Sequence, residues 1–84
     1  MDREQIRLKI QDVMRSVLDN NTLELSDETA PKDTPNWDSL NQIKFVLTLE
    51  SAFGIEFSSS ELERAACIGD FVELITLKTS SAGR

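Results

Sequence analysis

Hydrophobic residues recur along this chain at three- and four-residue intervals, the period of helices that bury one face. Ile6, Ile10, Val13, Met14, Val17 and Leu18 form the first such stripe, which predicts an amphipathic helix from Asp2 to about Leu18. Leu8 falls off that stripe. Asp2 is placed to cap the start, and Asn20-Asn21 to supply the left-handed residue that ends a helix. From about Asn20 to Trp37 the period is lost, and Pro31 and Pro35 sit among Ser, Asp, Asn and Thr. Loops longer than about 12–15 residues are uncommon in compact domains unless they pack or carry function. The segment therefore reads as a packed crossover, with Leu23, Leu25 and Trp37 as its anchors.

A second helix is predicted from about Asp38 to Phe53, with Asp38 or Ser39 as cap and Gly54 as stop. Its apolar residues Leu40, Ile43, Phe45, Val46, Leu47, Leu49, Ala52 and Phe53 cover most of the circumference, leaving a polar strip of Asn41, Lys44, Thr48 and Ser51. So wide an arc predicts a central helix contacted on several sides. Ser58 and Glu61 have capping-box spacing, and Phe57 and Leu62 the spacing of a hydrophobic staple. They predict a short third helix from Ser59 to about Ala66. The last helix is predicted over Ile68 to Leu77, buried through Ile68, Phe71, Val72, Leu74 and Ile75. Residues 1–78 then form one domain and residues 79–84 a disordered tail. The predicted fold is all-α, a four-helix bundle with a short third helix and a long loop between the first two helices.

Composition narrows the chemistry. The 84 residues suffice for one small domain, and 39% hydrophobic content is enough for a core. A formal charge of −6 disfavours nucleic acid and anionic membrane surfaces, and suits either a basic protein partner or simple solubility. With no His and one Cys, the chain has no Ser-His or Cys-His pair, no ordinary zinc site and no internal disulfide. The lone Cys67 reads as a small buried hydrophobe, and the absence of a disulfide points to a reducing, cytoplasmic setting. The charged start Met1-Asp2-Arg3-Glu4-Gln5 does not read as a signal peptide. No apolar run approaches transmembrane length.

The segment Trp37-Asp38-Ser39-Leu40 is the most informative. It sets a hydroxyl at the start of the second helix, where unpartnered N–H groups and the helix dipole favour a phosphate. Ser39 is thus either an ordinary N-cap or a site of phosphate attachment. With no general base of the usual kind beside it, Ser39 would have to be modified by another enzyme.

From Asp38 to Ile75 the chain resembles the acyl carrier protein family, whose members carry phosphopantetheine. The resemblance rests on Asp38-Ser39-Leu40, on Leu49-Glu50-Ser51-Ala52-Phe53-Gly54-Ile55-Glu56, on Glu61-Leu62-Glu63-Arg64 and on Ile68-Gly69-Asp70. It implies a non-catalytic carrier with 4'-phosphopantetheine attached covalently to Ser39 by a phosphopantetheinyl transferase. The arm's thiol would hold an acyl group as a thioester, partly sheltered in an apolar cleft. An acyl-loading ligase or synthase would charge it, and acyltransferases or condensing enzymes would receive the cargo. By position, partner contacts fall on Asp38, Leu40, Ile43, Leu47, Glu50, Glu56, Glu61 and Glu63, with Leu40 and Leu47 partly exposed. No metal, nucleic acid or membrane insertion is implied, and a monomer is expected. Asn41, Lys44, Ser51 and Ala52 stand where the family is often acidic, and Trp37 where it often has a small residue. That departure implies a specialised carrier in fatty-acid, polyketide or related biosynthesis. An aminoacyl or peptidyl carrier, such as one for D-alanine, and an unmodified helical interaction domain are the alternatives.

Overall fold

The computed structural model describes residues 2–82. Its elements are α1 (Arg3–Leu18), a 3-10 turn (Pro31–Asp33), α2 (Ser39–Phe53), α3 (Ser59–Arg64) and α4 (Ile68–Ala82). The all-helical fold, with its short third helix and long first connection, is the predicted one.

Local signals set most helix ends. Asp2 caps α1 in a capping box: its carboxylate accepts from the Gln5 amide at 2.8 Å while the Gln5 side chain accepts from the Asp2 amide. Ser58 and Glu61 form the same reciprocal pair at the start of α3. Gly54, at φ 65°, ends α2 in the left-handed conformation that glycine adopts without penalty. Three boundaries differ from the sequence reading. The left-handed cap of α1 is Asp19, at φ 52°, one residue before Asn20-Asn21. Helix α3 stops at Arg64 because Ala65 is already extended. Helix α4 runs past Leu77 to Ala82; residues 83–84 of the expected tail lie outside the described residues.

The core comprises Ile6, Ile10, Val13 and Met14 of α1, Leu25 of the loop, Phe45 and Leu49 of α2, and Ile68, Phe71, Val72 and Ile75 of α4. Leu74 is half-buried rather than a core member. Helix α1 packs against both α2 and α4. An edge-to-face series links the loop to α2, α4 and the α2–α3 turn: Trp37 on Phe45 at 5.4 Å, Phe45 on Phe71 at 5.3 Å and Phe71 on Phe57 at 6.0 Å between centroids.

Helix α2 is more open than its wide apolar arc alone suggests. It is contacted by α1, by Trp37 of the loop and by Phe71 of α4, yet only Phe45 and Leu49 along it are fully buried. Leu40, Ile43 and Leu47 are 59%, 56% and 59% exposed. The wide apolar arc is two stripes, one serving the core and one facing out.

The long loop is a packed crossover, as its anchors imply. Leu25 is buried, and Leu23 and Trp37 pack against the core. Helix α1 holds its backbone: Arg15 Nε donates to the Leu23 carbonyl at 2.7 Å, Arg7 to the Leu25 carbonyl at 3.3 Å, and the Leu25 amide donates to Gln11 Oε1 at 2.9 Å. Helix α4 holds it at its own start, where Ile68 and Gly69 donate to the Thr29 and Asp27 carbonyls at 2.8 and 2.9 Å. A Cβ at Gly69 would meet the Asp27 carbonyl oxygen at 3.1 Å, so any larger residue there would require the loop to give by a few tenths of an ångström.

Candidate functional site

The site is built where the loop enters α2. Thr34, Pro35, Asn36 and Trp37 form a tight turn closed by the Trp37 amide donating to the Thr34 carbonyl at 3.1 Å. Pro at its second position and Asn36 at φ 68° at its third are the pattern of a type II turn. The Asn41 side chain donates to the Asn36 carbonyl at 2.9 Å and ties the turn to the helix. A carboxylate at position 41 would lack that donor.

Asp38 is the N-cap of α2; its Oδ1 accepts from the Asn41 amide at 2.8 Å. That removes the alternative in which Ser39 is the cap. Ser39 is the first helical residue, is exposed, and its hydroxyl has no hydrogen-bond partner among the described residues. The Ser39 and Leu40 amides are likewise without an acceptor there. The helix start thus presents an accessible hydroxyl beside free N–H groups, the arrangement that accommodates a phosphodiester. These residues fit a phosphopantetheine group attached through Ser39.

An open groove of about 640 Å³ begins at this hydroxyl. Ser39, Gln42, Ile43, Val46 and Leu47 line one side, all on one face of α2, with Leu62 and Glu63 of α3 opposite and Trp37 and Lys32 from the loop. Sequence reasoning missed Gln42, Val46, Leu62 and Lys32 as groove residues. A signal existed for two of them: positions 42 and 46 lie three and seven residues after Ser39, on the same helical face.

The expected partner residues fall into two groups. Asp38, Leu40, Ile43, Leu47, Glu56 and Glu63 are exposed. Glu50 and Glu61 are engaged within the fold. Glu50 Oε2 accepts from the Phe57 amide at 2.8 Å, holding the α2–α3 turn. Glu61 Oε1 accepts from the Ser58 amide at 2.8 Å and meets Lys78 Nζ at 2.9 Å. The Ser58 amide first, and then Lys78, hold the Glu61 carboxyl below its usual range. Cys67 is half-buried in the α3–α4 turn, where Asp70 Oδ2 accepts from the Ala66 and Cys67 amides. Among the described residues no acidic, Cys or His cluster could hold a metal ion, and no helix is long and apolar enough to cross a membrane.

Comparison with known proteins bears on this arrangement directly. Residues 8–75 match the phosphopantetheine attachment site family. The acyl carrier protein of Rubrobacter xylanophilus is 31% identical over 89% of this chain and 93% of its own length. That of an Exiguobacterium species is 32% identical over 93% of this chain and 99% of its own. The solution NMR structure of a holo acyl carrier protein from Geobacter metallireducens superposes with a TM-score of 0.85 at 27% identity, covering 92% of this chain and 88% of that one. With a family match across most of the chain and relatives aligned over nearly their full length, this chain belongs to the acyl carrier protein family, the non-catalytic carriers of a phosphopantetheine prosthetic group.

Proposed function

We propose that Ser39 bears the phosphopantetheine arm and that the chain carries acyl groups to partner enzymes. The observation that supports this best is the exposed, unbonded hydroxyl of Ser39 at the head of the groove. The arm supplies a thiol that holds cargo as a thioester, chemistry this chain lacks of its own. The chain's residues position and shelter. The Ser39 and Leu40 amides would hold the phosphodiester, and Asp38 fixes the helix start. Ile43, Val46, Leu47 and Leu62 offer an apolar surface for the cargo.

Phosphopantetheinyl transferases, loading ligases or synthases, and acyltransferases or condensing enzymes approach the outer stripe of α2. Exposed apolar residues grouped in this way mark interaction surfaces, and Leu40, Ile43 and Leu47 form such a group beside the attachment point. Asp38, Glu56 and Glu63 add exposed negative charge for a basic partner. Lys44 is exposed on α2 and Asn41 is committed to the Asn36 carbonyl, so the partner face of α2 carries little acid. That favours a specialised carrier serving a few enzymes of fatty-acid, polyketide or related biosynthesis in the cytoplasm.

The test is incubation with coenzyme A and a broad-specificity phosphopantetheinyl transferase, followed by intact mass. A gain of one phosphopantetheine in the wild type and none in Ser39→Ala is expected. No gain with several transferases would instead indicate an unmodified interaction domain. Charging the product with acyl or aminoacyl ligases then separates acyl from aminoacyl cargo.

A further inference from the structure

We infer that Trp37 is a specificity-determining residue, its indole forming a rigid wall that fixes the width of the groove beside Ser39; the inference rests on the carrier reading of Ser39. Trp37 and Ser39 line the same groove, and every other apolar side chain lining it is aliphatic: Ile43, Val46, Leu47 and Leu62. Two contacts fix the indole. Its edge-to-face packing on buried Phe45, at 5.4 Å and 78°, holds it to the core. Its Nε1–H donates to Gln42 Oε1 at 3.0 Å, which couples the loop to α2 across one turn of helix.

Both pins have consequences for cargo. With its donor used by Gln42, the indole offers the groove its apolar surface and no free hydrogen-bond donor. An indole held at two points cannot swing aside as an aliphatic side chain can, so it sets a fixed width rather than an adaptable one. The half-exposed indole gains by burial against an apolar chain. The preferred cargo is therefore an unbranched apolar chain lying against the indole.

The chain has a single Trp, so its emission reports on this wall alone and no variant is needed for the first measurement. The forms to compare are apo, holo, butyryl, octanoyl and dodecanoyl, with the load on each verified by intact mass. Similar emission in apo and holo protein is expected, then a shift to shorter wavelength that grows from butyryl to octanoyl. Unchanged emission in an octanoyl form of verified mass overturns the inference and leaves the carrier reading intact. So does a shift already complete in the holo form. Failure to gain the arm overturns the carrier reading and this inference with it.

Selectivity is read in Trp37→Leu, which keeps an apolar anchor against Phe45. In the wild type, Leu62 methyl resonances should respond to an octanoyl load but not to a branched load of equal carbon count, and in the variant they should respond to both. The same discrimination in both proteins, or none in either, overturns the inference.

Discussion

Helix α2 carries two apolar stripes of similar composition with opposite roles. Phe45 and Leu49 are wholly buried, whereas Leu40, Ile43 and Leu47 stand more than half exposed beside Ser39. Side-chain hydrophobicity does not separate them. What separates them is the neighbourhood: α1 and Phe71 of α4 pack on one face, while the other borders a groove shared with α3 and with Trp37 of the loop. The inner stripe holds the fold together, and the outer stripe is available to cargo and partners.

Substitutions can break or sharpen that contrast. Phe45→Ala should have the largest effect, a loss of about 3–5 kcal/mol in chemical denaturation, because it empties a site that joins Trp37 to Phe71. Leu47→Ala should cost stability only about 0.5 kcal/mol. Its effect should appear instead in partner binding, where loss of an interface anchor costs about 1–2 kcal/mol, measured as a weaker Kd for a transferase or ligase. A Leu47 variant as unstable as Phe45→Ala would erase the distinction between the stripes.

Asp38 divides its two roles in the same way. Asp38→Ala should lose about 1 kcal/mol through the missing cap. Asp38→Asn keeps a capping oxygen and should retain stability, while weakening binding to a basic partner in a salt-dependent manner.

The smallest effect is expected from pH. The Glu61 carboxyl lies lower in the folded chain than its ordinary value of 4.5, so its contribution is present above that value. The contribution is lost as pH falls through the lower folded value. Glu61→Gln should flatten that part of the acid limb in denaturation curves measured from neutral to acidic pH. An unchanged limb would show that Ser58 and Lys78 do not stabilise the charged form.

Much of this was legible in the residues. The capping boxes of α1 and α3 and the stop at Gly54 are local chemistry, readable within four residues. Ser39 stood out through the family resemblance around it, since a Ser at a helix start is by itself commonly an ordinary cap. What escaped was non-local. Nothing near Glu50 or Glu61 reveals that their carboxylates serve the Phe57 amide and Lys78. Nor does the loop sequence disclose that Arg7, Gln11 and Arg15 hold its backbone. Gly69 was a readable hint, since glycine early in a helix signals a close approach, here to Asp27. The division of α2 into two faces depended on where α3 lies, which periodicity does not specify.

The central claim is that one particular hydroxyl accepts the arm. Tryptic digestion of the modified protein isolates residues 33–44, in which Thr34 and Ser39 are the hydroxyl residues. Fragmentation of that peptide should place the whole phosphopantetheine mass on Ser39. An adduct on any other residue, or an unmodified peptide from protein that has gained the mass, would contradict the account.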